Sequence, residues 1–321
     1  MSIRSLLFFC ATALYVLLGG ASPVVAQDRT TSGTAALSAE GTVVVDNHEG
    51  WITIETWDRA EVKYEAVVRP EDDAEHPEAT TVRVDRGDDR FVIRTEYDED
   101  KENGDDGSFW SNSQNIMPVE YTLTVPQSAS VKVDDHESDI EVTGVGGPVR
   151  LDTHDGRIAL TDQSGDADIE SHDGPIVVEN QTGALTIDAH DSDVRLRSVG
   201  SRVEIDAHDS DIEAEGLSGG LEVDTHEGDG RFVFAELTDD VEIDTHDGDF
   251  TLILPTKAGF DLRTDFGDED ADLRADFDLA PYRISDDDDD EVNYAGSING
   301  GGPRISLSAH DGDFEIRTQQ R

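Results

Sequence analysis

The chain has 321 residues, with 24 Lys and Arg against 74 Asp and Glu. A formal net charge of −50 at pH 7 excludes a basic surface for nucleic acid or for an anionic membrane. The length allows one large domain or two modest ones, and a single cysteine leaves no disulfide framework to hold them together.

Residues 1–26 read as a secretory signal peptide. Arg4 supplies the positive start, Leu6 to Leu18 the apolar core, and Val24-Val25-Ala26 a cleavage site. A core of thirteen residues is too short to span a bilayer. Cys10 lies inside that core, so the mature chain has no thiol, and no transmembrane segment is expected after cleavage. The expected location is the periplasm or the cell surface.

Residues 27–41 are small and polar and read as a flexible lead-in. Residues 42–130 read as one coil plus an irregular β cap. In GTVVVDNHEGWITIE, Val43 and Val45 precede His48, and Ile52 and Ile54 follow it. Residues 61–69, 81–86, 90–97 and 119–125 then alternate as longer strands, split by turns and by the polar loop 98–117. Trp51 and Trp57 are expected to pack this cap; with Phe109 and Trp110 they are the aromatic residues that a glycan could stack on. His76 stands outside any pattern.

From 131 to 268 the chain repeats. His136, His154, His172, His190, His208 and His226 follow at intervals of 18 residues, and His246 comes after 20. Each is followed by an acid and then Gly or Ser. Five and three residues before each histidine, and four and six after it, 27 of 28 positions hold Val, Ile, Leu, Phe or Ala, the exception being Gly230. Alternation on both sides, with its parity reversed across the His-acid-Gly/Ser triplet, means two half-buried strands joined by a corner. No helix-period stretch separates the coils, so the fold expected is all-β, a parallel β-solenoid of about 18 residues per coil, each coil about 4.8 Å above the last. FDLRTDFGD keeps the frame, with Asp265 where histidine is due. Residues 269–303 read as an acidic loop excursion around the run Asp286 to Glu291, and residues 304–321, with ISLSAHDGDFEI and His310, as the final coil.

Several of these stretches together resemble a known family. VEYTLTVP running into VKVDDHESDIEVTG, the repeated coils, GFDLRTDFGD and the closing GGGPRISLSAHDGDFEI are similar to the bacterial "putative adhesin" domain of unknown function, related to autotransporter-adhesin-like head domains, over roughly residues 40–318. The resemblance implies an exported β-solenoid with no established catalysis. It departs at the corner, where members usually carry Ser-Gly-Asp-Ile and this chain has His-Asp-Gly/Ser.

The parity turns the histidines outward, so stacked coils should align His136, His154, His172, His190, His208, His226 and His246 in one column. Acids two residues earlier (Asp134, Asp152, Glu170, Asp188, Asp206, Asp224, Asp244) and one residue later (Glu137, Asp155, Asp173, Asp191, Asp209, Glu227, Asp247) should flank it. Imidazoles about 5 Å apart beside carboxylates are metal-ligand types, and Asp155, Asp173, Asp191 and Asp209 are the carboxylates placed best to join them. The plainer reading is a polar corner that satisfies its own backbone. Calcium-binding rolls need aspartate at both turns, and the opposite turns here read GVGG, DQSG, NQTG, SVGS and LSGG.

The reading this supports is an exported, non-enzymatic, adhesin-like module that meets a protein or glycan at the cell surface, its acidic exterior adapted to high salt. The alternative is a cation-binding module that takes divalent cations on the His/Asp ladder, with no organic cofactor. A remoter alternative is a β-helix enzyme acting on polysaccharides. Catalysis asks for one asymmetric group of unlike pKa, whereas this triplet recurs at every corner.

Overall fold

The computed structural model describes residues 28–69, 77–97, 117–266, 271–284 and 292–319. Residues 1–26, expected to be a signal peptide, His76, most of the loop 98–117 and the run Asp286 to Glu291 fall outside them. Among the described residues the chain is a β-solenoid, interrupted by two short 3-10 turns, Pro77–Ala79 and Ala280–Tyr282.

Each regular coil has two strands, one entering the histidine corner and one leaving it, as in Leu185–Asp191 followed by Val194–Arg197. Like strands pair in parallel one coil apart, so Ile187 faces Ile205 and Val194 faces Ile212. Two walls result, closed on the far side by the return turns. All 27 apolar positions expected in the core are at most 3% exposed. The exception, Gly230, is explained by its neighbour: a Cβ there would stand 2.2 Å from Cδ1 of Phe250, whose ring occupies the space. The longer interval between His226 and His246 is absorbed in the return turn, and the strands stay in register, Leu221 facing Val241.

The return turns share a conformational requirement that their composition encodes. Their first residues, Gly144, Asp162, Asn180, Ser198 and Gly216, have φ between 56° and 79°. Gly, Asn and Asp, which enter this left-handed region at least cost, fill four of the five places, and Ser198 is the exception. Inside the next position, Gln163 and Gln181 are fully buried and donate Nε2–H to the carbonyls of Gly147 and Gly165, each at 2.9 Å.

The N-terminal end differs from expectation in one place. Residues 29–36 are not a flexible lead-in: Arg29–Ala36 is a strand antiparallel to Glu61–Val68. Glu61–Val68 lies antiparallel to Val119–Pro126, which runs parallel to Glu49–Trp57 and so continues one wall. Thr80–Arg86, Arg90–Tyr97 and Thr42–Asp46 continue the other. Tyr64, Phe91 and Tyr121 fill the end of the core.

The C-terminal end differs more. The coil carrying His310 is last in sequence but not in the stack. Arg304–Ala309 lies between Val241–Thr245 and Phe260–Phe266, with Ile305 facing both Val241 and Leu262. Because Leu262 faces Ile305, Asp265 sits opposite Ser308, not His310, two residues away from the frame the sequence suggested. Nor is the stretch 269–303 all loop. Ala271–Ala275 extends one wall beside Gly312–Thr318, and Asn293–Ile298 folds back antiparallel to Phe260–Phe266.

Candidate functional site

The corner is built from four consecutive residues. The residue before the histidine points into the core edge, the histidine and the acid point out, and the next residue is again inside. Where that last residue is glycine the backbone is left-handed and crowded: Gly174 has φ 112°, and a Cβ would lie 2.2 Å from the carbonyl of Gly156 one coil below.

Each regular corner holds an inward hydroxyl, at one of two places. Thr153, Ser171, Thr225 and Thr245 precede the histidine where glycine closes the corner. Thr153, Thr225 and Thr245 donate to the carbonyl of the acid, at 2.9 to 3.0 Å. Where Ala189 or Ala207 precedes, Ser192 or Ser210 closes, and Ser210 Oγ accepts from the Ser192 N–H at 3.1 Å. The first regular corner is different: Asp135 is 9% exposed and accepts from Ser138 N–H, Ser138 Oγ and Thr153 Oγ1. Burial raises its pKa above the usual carboxylate value, against the pull of those hydrogen bonds.

Outside, the histidines form one stack longer than the seven-residue column expected. It runs from His48 through His136 to His246 and on to His310, with ring centroids 4.5 to 5.0 Å apart. Planes are within 9° of parallel, except 16° between His246 and His310. The spacing is that of parallel strands, so the sheet itself sets the stacking. Nδ1 faces the adjoining carboxylate, at 3.3 Å in His154–Asp155 and His172–Asp173, 3.4 Å in His190–Asp191 and 3.5 Å in His136–Glu137 and His208–Asp209. The imidazoles of His136 to His226 are 46% to 52% exposed, so water screens these pairs. His48 lies deeper, against Tyr97, and burial and then the His136 ring lower its pKa.

Three sets of donors converge to within 4.8 Å among the described residues: His154, His172 and Asp173; His136, Glu137 and Asp155; Asp209, His226 and Glu227. His190, His208, His246 and Asp191, named with them from the sequence, share the column without entering a three-donor set. Glu137 and Glu227 enter two of the sets, where the sequence had favoured the aspartates.

The acids two residues before the histidine also line up. Burial and then Asp188, Asp224 and Glu204 raise the pKa of Asp206, and burial and then Asp134 raise that of Asp46. A third acidic column, three residues after the histidine and interrupted by Arg157 and Pro175, adds to these two. Asp139, Asp211, Asp229 and Asp249 accept the backbone N–H of Arg157, Asp229, Asp249 and Asp313 respectively, each at 3.0 Å. These carboxylates bind the corner of one coil to the next. Of the tryptophans, Trp57 packs the cap, donating Nε1–H to Glu61 O at 2.7 Å under the Arg59 guanidinium. Trp51 does not pack there; it is 48% exposed on the outer face.

The profile of the Toastrack DUF4097 family matches residues 42–317. No curated protein matches the sequence. Solved structures similar to it include one described as a "putative adhesin" from Bacteroides fragilis NCTC 9343, 13% identical, with a TM-score of 0.32, covering 91% of this chain and 97% of that one. Another is a "putative cell adhesion protein" from Clostridium sporogenes ATCC 15579, 12% identical, TM-score 0.23, covering 91% and 100%. A third, a "putative adhesin" from Parabacteroides merdae ATCC 43184, is 9% identical with a TM-score of 0.24 and covers 91% and 97%.

Proposed function

The chain belongs to the Toastrack DUF4097 family, and from that premise we propose that it is an exported, non-enzymatic interaction module of the periplasm or cell surface whose working edge is the histidine corner. One observation carries this: nine corners present an imidazole beside an acid at nearly constant spacing along a single edge. Repetition of one weak contact serves binding, because several engaged at once multiply into avidity. It does not serve catalysis, which needs unlike groups held at one point. The N-terminal apolar segment supports export, and no helix among the described residues is long and apolar enough to cross a membrane. The partner is a protein or glycan on the cell exterior. A second reading, that the edge holds cations, is favoured by the three convergent donor sets.

The test has two arms. The full chain should be recovered outside the cytoplasm, and a chain lacking residues 1–26 inside it. The labelled mature chain, applied to intact cells in the presence of a chelator, should be retained at least about tenfold better than a variant with His154, His172, His190 and His208 all changed to Ser. Circular dichroism must show both folded. Retention that ignores the four substitutions would remove the corner edge from the reading.

A further inference from the structure

We propose that the corner edge binds divalent first-row transition-metal ions between successive coils, tightest at His154, His172 and Asp173. This deepens the second reading by naming the ligand class and the coils that hold it.

The donor chemistry selects the class. Imidazole with carboxylate suits zinc, copper and nickel, whereas magnesium and calcium want oxygen alone. Two nitrogens and one oxygen, with one place left to water, is a tetrahedral zinc set. The other two sets offer one imidazole and two carboxylates each and should bind more weakly.

The site is also half-prepared. The Asp155 and Asp173 carboxylates accept from Nδ1 of His154 and His172 at 3.3 Å. A carboxylate on Nδ1 fixes the tautomer that leaves Nε2 free as a ligand and makes it more basic. Asp155 keeps that role on His154, whereas Asp173 leaves Nδ1 of His172 and turns its carboxylate to the ion. The His154–His172 gap, 4.5 Å between centroids, is among the narrowest in the column. Bonds of about 2.1 Å at tetrahedral angles need nitrogens about 3.4 Å apart, so the two rings must tilt toward each other by about 1 Å. Rings 49% and 46% exposed are free to do so. Each bound ion would tie two coils together, which couples metal binding to the stability of the stack.

Calorimetric titration of the chelator-stripped mature chain with Zn²⁺, in high-salt buffer at neutral pH, decides the matter. The expected result is saturable binding whose tightest step weakens at least about tenfold in His154→Gln/His172→Gln and is unchanged in His246→Gln, which belongs to no donor set. Co²⁺ in place of Zn²⁺ should give the intense visible bands of tetrahedral coordination, lost in the same double variant. Asp173→Asn provides a second, milder variant if the double one does not fold, and it should weaken the same step. Zinc bound equally by wild type and double variant, or not saturably bound at all, overturns the proposal. So does a loss equally large in His246→Gln. The cell assay above is run in chelator, so either reading can fail while the other stands.

Discussion

At the scale of single residues, the regular corners bury their hydroxyls with hydrogen-bond partners. Asp135 shows the limit of that pairing, since the hydrogen bonds it accepts do not offset its burial and its pKa is raised. A carboxyl whose folded pKa lies above its unfolded value of 3.8 binds protons more tightly in the folded state. Its contribution to stability therefore falls as pH rises from 3.8 through the raised folded value, and stays lost above it. Asp135→Asn removes this ionisation and leaves an acceptor for Ser138. Urea denaturation of wild type and variant across this range should show the variant gaining on wild type as pH rises, with the difference level near neutrality. A difference that is constant from pH 3.5 upward would mean that Asp135 is not held in a raised state.

At the scale of the strand, parity governs everything. Ile205 is 1% exposed between Ile187 and Val223, whereas Glu204, one residue earlier, faces out between Thr186 and Glu222. Ile205→Asp should cost more than about 4 kcal/mol, because it removes a core side chain and buries an unpaired charge. Glu204→Lys should stay within about 0.5 kcal/mol, and it relieves one of the acids that press on Asp206. Chemical denaturation reads both, and equal tolerance would sink the register. This parity was legible in the sequence because a fixed period repeats the same evidence in every coil, and the histidine column followed from it. What was not legible lacked that local repetition. Arg29–Ala36 is poor in large apolar residues, and becomes a strand because Gly33 lets the Tyr64 side chain lie over it, where a Cβ would meet Tyr64 Oη at 2.7 Å. Gly230 made sense only once Phe250 was seen beside it. Which histidines join carboxylates in threes depends on side-chain rotamers, which no spacing encodes.

At the scale of the molecule, charge dominates. Arginines answer some of the acid across coils, Arg150 reaching Asp168 and Glu170, Arg197 reaching Glu179 and Arg202 reaching Glu222. Yet 24 basic residues cannot balance 74 acidic ones. Two carboxylates about 4.8 Å apart in water repel by roughly 0.9 kcal/mol, and about a fifth of that survives at 1 M salt, where the Debye length is about 3 Å. With two continuous acidic columns and a third, interrupted one along the corners, the melting temperature by circular dichroism should climb steeply between about 0.05 M and about 3 M KCl. A flat melting temperature over that range would show that self-repulsion does not limit the fold, and the case for adaptation to salt would lose its physical support.

The displaced last coil has a consequence for how the molecule comes into being. Most coils touch a neighbour 18 residues away and can be laid down one after another as the chain emerges. The Arg304–Ala309 strand instead enters between Val241–Thr245 and Phe260–Phe266, closing a loop of 64 residues from Val241 to Ile305. Until those closing residues arrive, the strand Val241–Thr245 lacks the neighbour it keeps in the finished stack, and its unpaired amides and carbonyls are a template for another chain. The strand that fills that place comes from the far side of the loop and lies between two earlier ones, like a bolt slid home. The pairing of Val241–Thr245 on that side therefore waits on residues 64 positions downstream.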